Sequence, residues 1–287
     1  MRRATPSHLR RGAVVRVQSS NAGPGGPEVV GADLADQFNE ARKKGVRLVI
    51  GGQEYGDQEP APRKALQRLV AAWRRRQARR KYAKAIVELA PAVKVLWEPG
   101  SNPGRKTPFF YDSRGLKVVH WRQIVTRRLG YLGTRGAGPK NGDEKRLNVA
   151  VFRVWRRRIW FKALNHHLTP SAFSTTGDEQ RRRLAAWDRQ VDAFVAEVNG
   201  TRAAMPVIGM GDWNAERDNP RLIAKMPRPW SWDSSGPTKG TRAIDLIGHR
   251  PHVRVSVIDR GVMPTSSDHH SPWVEYEIQP KRKKARR

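Results

Sequence analysis

Gly209-Met210-Gly211-Asp212-Trp213-Asn214 follows the short apolar run Pro206-Val207-Ile208. Such a run, bounded by glycine, reads as a buried strand that ends in a loop. Asp212 and Asn214 are two positions apart, so on extended backbone both side chains point to one side. The neighbouring glycines let the backbone approach a substrate closely. Alone, the hexapeptide reads equally well as a strand-to-loop turn, where Asp, Asn and Gly are favoured on conformational grounds. The two readings separate only if other strands deliver similar residues to the same place.

Several do. Residues 14–18 read as a strand that ends at Ser19-Ser20-Asn21. Asp33 reads as a helix N-cap, with Leu34, Phe38 and Ala41 at helical spacing and Gly45 as the stop. Residues 46–50 form a second strand, running into Gly51-Gly52-Gln53-Glu54. Residues 93–97 read as a strand, and residues 109–119 as a hairpin with a polar turn. Residues 147–154 and 159–164 read as two strands joined by a basic turn, the second leading into Asn165-His166-His167-Leu168. Thr176-Gly177-Asp178-Glu179 has the form of a capping box. The helix after it carries Leu184, Trp187, Val191, Phe194, Val195 and Val198 on one stripe, and Asn199-Gly200 ends it. Residues 243–248 form a short strand containing Asp245. Val253, Val255 and Val257 alternate as in a half-buried strand. Residues 266–270 form a loop with Asp268, His269 and His270, and residues 273–278 close the fold.

Charge is the dominant global property. The 287 residues hold 56 Lys+Arg against 26 Asp+Glu, a formal net charge of +30. A field of that size attracts polyanions, of which nucleic acid is the commonest and an acidic membrane surface the second. The basic residues cluster. A helix expected over residues 62–90 carries Arg74, Arg75, Arg76, Arg79, Arg80 and Lys81 between Trp73 and Tyr82. That pattern can be a solvated charged face, but with the overall charge it reads as a phosphate-tracking surface with rings for stacking. Residues 130–143 are glycine-rich and basic but lack a phosphate-binding loop pattern. With 38% hydrophobic residues the chain can bury a core. No apolar run approaches the roughly 20 residues needed to span a bilayer, and the basic N-terminus lacks the apolar stretch of a signal peptide. There are no cysteines, which excludes disulfides, thiolate metal sites and cysteine nucleophiles. A cytoplasmic location is the expectation. No internal repeat or linker is evident. The expected organisation is one catalytic domain over 12–279, a basic tail over 280–287, and a monomer.

The polar residues at strand ends are carboxylates, amides and imidazoles. Hard oxygen donors of this kind suit magnesium, manganese or calcium, whereas zinc spacings are absent. With the positive charge, the set argues for phosphate-ester hydrolysis. In order, Ser20-Asn21, Gln53-Glu54, Asn165-His166-His167-Leu168, Gly211-Asp212-Trp213-Asn214, Ile244-Asp245-Leu246-Ile247 and Ser267-Asp268-His269 resemble the motifs of the endonuclease/exonuclease/phosphatase superfamily. The match runs from Val14 to Ile278.

That resemblance implies a deoxyribonuclease I-like α/β fold, a four-layered sandwich of two packed, mostly antiparallel β-sheets flanked by helices. It also implies roles. Glu54 would be the principal ligand of Mg2+ or Mn2+, helped by Asn21 and Asp268. Asp212 would orient and deprotonate the attacking water. Asn214 would hold a phosphate oxygen or the nucleophile, and His167 would contact the phosphate. His269 would stabilise the charged pentacoordinate state or assist the leaving oxygen, and Asp245 would fix a histidine tautomer. The implied activity is a metal-dependent phosphodiesterase. The charge points to nucleic acid, DNA before RNA, with a phosphatase or phospholipid phosphodiesterase as the alternative. Two features depart from the family pattern. Pro272 lies two residues after His270 and not after His269, which leaves His270 as the alternative; His269 is preferred because it directly follows Asp268. The Asn165-x-His167 form lacks the tyrosine of AP endonucleases. His166 and Trp213 are expected to pack rather than react.

Overall fold

The computed structural model describes residues 12–22, 27–54, 88–96, 107–127, 130–131, 141–142 and 145–281. Its elements are β1 (Ala13–Asn21), α1 (Pro27–Lys43), β2 (Arg47–Gln53), β3 (Val93–Leu96), β4 (Phe109–Asp112), β5 (Leu116–Arg127), β6 (Gly130–Tyr131), β7 (Asn141–Gly142), β8 (Lys145–Val154) and β9 (Trp160–His167). They continue with α2 (Gly177–Asn199), β10 (Val207–Asp212), α3 (Pro220–Lys225), β11 (Ser231–Trp232), β12 (Asp245–His249), β13 (Val255–Met263) and β14 (Ser271–Ile278).

Two six-stranded sheets carry the fold, ordered β13-β14-β1-β2-β4-β3 and β11-β12-β10-β9-β8-β5. Each holds one parallel pair, β1 with β2 and β9 with β10, and all other pairs in them are antiparallel. The alternation of side chains explains the layering. Val15, Val17, Val49, Phe161, Ala163, Ile208, Met210 and Ile247 meet between the sheets. The opposite faces are covered by helices. Leu34, Phe38 and Ala41 of α1 pack on Leu48 and Ile50. Trp187, Val191, Phe194 and Val198 of α2, at helical spacing, pack on Leu164, Val207 and Leu246. The result is the expected four-layered sandwich.

A polar cross-link lies inside that core. Asn165 of β9 donates from Nδ2 to the carbonyl oxygens of Gly52 and Pro108, each at 3.0 Å, and of Thr107 at 3.2 Å. Its Oδ1 accepts from Gln53 Nε2 at 2.8 Å. The sheets approach so closely here that a Cβ on Gly51 would lie 2.6 Å from Asn165 Oδ1 and 2.7 Å from Met210 Cγ.

Four local expectations differ from the structure. Helix α1 starts at Pro27, so Asp33 lies inside it and not at its N-cap. Its carboxylate instead accepts from the backbone N–H (2.9 Å) and hydroxyl (2.6 Å) of Ser266. Residues 109–119 are not a hairpin: β4 pairs with β2 and β3, while β5 pairs with β8 in the other sheet. The turn between them is a corner that changes sheets. Thr176 occupies the α2 N-cap but its side chain makes no capping bond, and Glu179 pairs with Arg183 instead. Val255 packs partly buried on the inter-sheet core, but Val253 is fully exposed and Val257 and Ile258 lie open on the edge strand β13, so the alternating stretch is only partly covered. The basic helix expected over 62–90, including Arg74, Arg75, Arg76, Arg79, Arg80 and Lys81, lies outside the described residues apart from 88–90. So do residues 1–11 and 282–287 and most of residues 130–143. No described helix is long and apolar enough to cross a membrane.

Replacing Asn165 by Ala should remove four hydrogen bonds from a dry interior, although the Pro108 carbonyl keeps the Gly52 N–H and the Gln53 amide keeps the Gly51 carbonyl. The expected loss is about 2–4 kcal/mol of unfolding free energy, read from urea denaturation. A loss below about 1 kcal/mol would show that the cross-link is dispensable.

Candidate active site

The polar cluster is the end of the inter-sheet core. Along β10, Ile208 and Met210 face the opposite sheet, and Asp212 is the next residue on that face. Pairing sets Asp212 beside His167 of β9 and Asp245 of β12, both in register. From the other sheet, Asn21 continues the Val15–Val17 face of β1, and Glu54 follows β2. Glu54 has φ 57 and Asn214 φ 50, so both lie where the chain turns sharply out of its strand.

Asp212 is the centre. Its Oδ2 accepts from Asn21 Nδ2 at 3.2 Å and its Oδ1 from the Asn214 backbone N–H at 2.8 Å. His167 Nε2 is 3.6 Å from Asp212 Oδ2 and 3.8 Å from Glu54 Oε1. His167 Nδ1 is 3.2 Å from Lys145 Nζ. An ammonium can only donate, so Nδ1 accepts and the ring proton sits on Nε2, facing the two carboxylates. His269 Nδ1 lies 2.7 Å from Asp245 Oδ2, and both residues are buried. Asp245 is itself held from behind: Thr238 Oγ1 accepts from the backbone N–H groups of Ile244 and Asp245, each at 3.1 Å.

Burial pushes the Asp212 carboxyl up to about 7, and the neighbouring charge of Asp245 adds to the rise, with a smaller push from Glu54. The charge of His269 and the Asn214 N–H oppose it. Burial works against charging His269, but the hydrogen bond and charge of Asp245, with the charge of Asp212, outweigh it and hold the imidazole above its ordinary pKa. Three carboxylates thus crowd one largely dry site. Ligand atoms of Asp212, Asp245 and His269 lie within 4.8 Å of one another. An oxygen-rich donor set with surplus negative charge fits a hard divalent cation, which would relieve the repulsion.

The predicted residues do not all converge. Asp268 is half exposed and pairs with Lys239 Nζ at 2.9 Å; this pairing outweighs its partial burial and lowers its pKa. Neither it nor Glu54 is among the three residues whose ligand atoms cluster. His270 is exposed, and its backbone N–H donates to Thr238 O at 2.7 Å. The histidine facing Asp245 is therefore His269. Asn214 does not share a side with Asp212 as extended backbone would require: the chain has turned, and its Nδ2 donates to Leu168 O at 3.2 Å. The glycines of β10 serve packing. A Cβ on Gly209 would meet the Phe194 ring at 2.5 Å, and one on Gly211 (φ +149) the His166 carbonyl oxygen at 2.2 Å. Lys145, Lys239 and Thr238 touch the site residues, and the linear sequence carries no spacing that announces them.

His166 and Trp213 pack, as expected. Their ring centroids lie 4.1 Å apart, and Phe194 lies 5.3 Å from His166. Burial alone takes the His166 imidazole down to about 3.

No family model and no curated protein matches the chain. Solved structures do. An endonuclease/exonuclease/phosphatase from Bacteroides vulgatus is 14% identical with a TM-score of 0.61, covering 93% of this chain and all of its own. A D. rerio TDP2 complexed with single strand DNA product is 11% identical with a TM-score of 0.57, covering 92% of this chain and 99% of its own. A Bacteroides thetaiotaomicron mannosyl-6-phosphatase is 15% identical with a TM-score of 0.56, covering 92% of this chain and all of its own. The chain has the endonuclease/exonuclease/phosphatase fold. Structures with that fold include ones described by unlike substrates, so the fold leaves the substrate to be argued from the site.

His166 generates a pH prediction. Its folded pKa of about 3 lies below the ordinary 6.5. The unfolded chain therefore takes up this proton first as pH falls, and stability drops between pH 6.5 and about 3. The contribution lost by pH 5 is roughly 2 kcal/mol. His166→Leu should take up about one proton fewer on unfolding in this window, flattening the stability–pH curve measured by urea titration. An unchanged slope would show that His166 is not held neutral.

Proposed function

We propose that the chain is a divalent-metal-dependent phosphodiesterase that hydrolyses nucleic acid. The observation that carries the chemistry is Asp212: a buried carboxylate near neutral pKa, flanked in register by His167 and Asp245, with His269 on Asp245. A carboxylate at about 7 is matched to taking a proton from water at neutral pH.

Asp212 takes that proton as the water oxygen bonds to phosphorus in line with the ester oxygen that leaves. Asn21 and the Asn214 N–H fix the orientation of the carboxylate. His167, with its proton on Nε2, donates to a phosphate oxygen. Asp245 holds Nδ1 of His269, which leaves Nε2 to stabilise the pentacoordinate charge and to protonate the departing oxygen. Glu54 and the Asn21 carbonyl oxygen are the proposed ligands of Mg2+ or Mn2+, with Asp268 joining if it leaves Lys239. When bound, the cation supplies Lewis acidity to the phosphoryl group and offsets the surplus carboxylate charge. The formal charge of +30 supports a polyanionic substrate over a small phosphoester.

The test is cleavage of supercoiled plasmid, linear duplex and single-stranded RNA with magnesium, with chelator, and with Asp212→Ala. Chelation and the substitution should each lower the rate by at least about a thousandfold. Binding should weaken steeply between low and moderate salt as counterions are displaced. Cleavage indifferent to salt would remove the argument for a nucleic-acid substrate. Hydrolysis of inositol phosphates or phospholipids with nucleic acid left intact would assign the site to the phosphatase or phospholipase reading.

A further inference from the structure

At the opposite end of the sandwich lies a cavity of about 400 Å3, lined by Trp160, Arg202, Ala204, Met205, Arg254 and Lys281. Trp160 opens β9 and His167 closes it, so the cavity is roughly 23 Å along the strand from the candidate active site. Three of its six lining residues are cations and none is acidic. The others are apolar, so the walls offer flat and aliphatic surface within a ring of positive charge.

The frame is rigid. The Arg254 guanidinium donates to the carbonyls of Gln279, at 3.2 Å, and of Ala204. Arg250 donates to the carbonyls of Val198, Thr201, Arg202 and Met205, at 2.9–3.1 Å, fixing the loop that carries Arg202, Ala204 and Met205. The Arg153 guanidinium lies 5.8 Å from the Trp160 ring centroid. Arg202 and Lys281 are exposed at the rim. Beyond Lys281 the sequence continues Arg282-Lys283-Lys284-Ala285-Arg286-Arg287, so this is also the end at which the described chain passes into a basic segment.

We propose that this cavity is a second nucleic-acid site, in which one base of a single strand stacks on Trp160 while its phosphates meet Arg202 and Lys281. A pocket that is apolar inside and cationic at its rim matches a nucleotide, which is flat and apolar on its faces and anionic at its backbone. An anionic lipid surface would share the charge, but it favours protruding apolar residues over a recessed ring. The ligand class rests on the nucleic-acid reading of the chain; the cavity's chemistry does not. A strand held both here and at the active site would have to bridge roughly 23 Å, so the site favours long substrates over short ones.

The test is fluorescence anisotropy of a labelled single-stranded oligothymidylate, in chelator so that nothing is cut. Trp160→Ala should weaken binding about tenfold, while Trp160→Phe retains most of it. Arg202→Glu with Lys281→Glu should weaken it at least as much. Wild type and all three variants should hydrolyse a small chromogenic phosphodiester equally. If Trp160→Ala binds as wild type, the stacking site is wrong, whatever the charge variant does. If instead phosphatidylserine vesicles bind in a Trp160-dependent way and the oligonucleotide does not, the surface is a lipid site and the proposal falls. If the Trp160 effect holds but no nucleic acid is ever cut, the second site stands and the nuclease reading fails.

Discussion

Asn165 fixes the distance between the two sheets, and the site depends on that distance. Its amide reaches three backbone carbonyls of the opposite sheet and its surroundings and receives the Gln53 side chain in return. An amide can serve both roles at once because it carries donors and an acceptor on one planar group. Two residues further along β9 is His167, on the same face. Any change in sheet separation at Asn165 would therefore be carried directly to the contact of His167 with Glu54, which belongs to the other sheet. The glycine at position 51 serves the same end, since a side chain there would hold the sheets apart.

The inter-sheet core passes from apolar to polar along its length. Ile208 and Met210 give way to Asp212, Val15 and Val17 to Ser19 and Asn21, and Ile247 faces the core beyond Asp245. Strand register makes this a site rather than a scatter of buried polar groups. Because Asp212 is paired with both His167 and Asp245, their mutual geometry is inherited from backbone hydrogen bonds, which are hard to deform. Side chains on loops, such as Asp268 and Lys239, lack that constraint and are paired near the surface instead.

This difference also accounts for what could be read from the sequence. Asn21, Glu54, His167 and Asp212 were legible because a polar residue at the end of an apolar run is a local pattern. Asp245 instead opens its strand, and Asp268 and His269 lie in a loop, so these rested on the resemblance of the ordered motifs to a known family, which also implied the fold. Asp33 misled because an acidic residue before Leu34 looks like a cap, while Pro27, which favours a helix's first turn, follows the sequence Gly23-Pro24-Gly25-Gly26 and does not stand out there. Its partner Ser266 lies more than two hundred residues away. The β4–β5 corner misled because a sheet-changing turn and a hairpin have the same local sequence, and only the partners β2 and β8 distinguish them. Asn214 misled because the two-residue rule holds only while the strand lasts, and β10 stops at Asp212. Lys145, Lys239 and Thr238 were illegible, since nothing near them in sequence marks a contact made across the fold.

Burying Asp212 and Asp245 side by side, with Glu54 near, works against stability unless something offsets the charge. The protein offsets part of it with its own groups: His269 on Asp245, His167 between Glu54 and Asp212, and amide donors from Asn21 and Asn214. These are incomplete, because the Asp212 pKa still rises to about 7 and Asp245 Oδ1 is buried with no hydrogen-bond partner among the described residues. A structural role would be better met by hydrophobic residues of the same size, which carry no such penalty. The retained strain is what a site needs if it is to bind a cation and hold a proton acceptor at neutral pH. The unmet charge sits at the polar end of the inter-sheet core, on the buried Asp212 and Asp245.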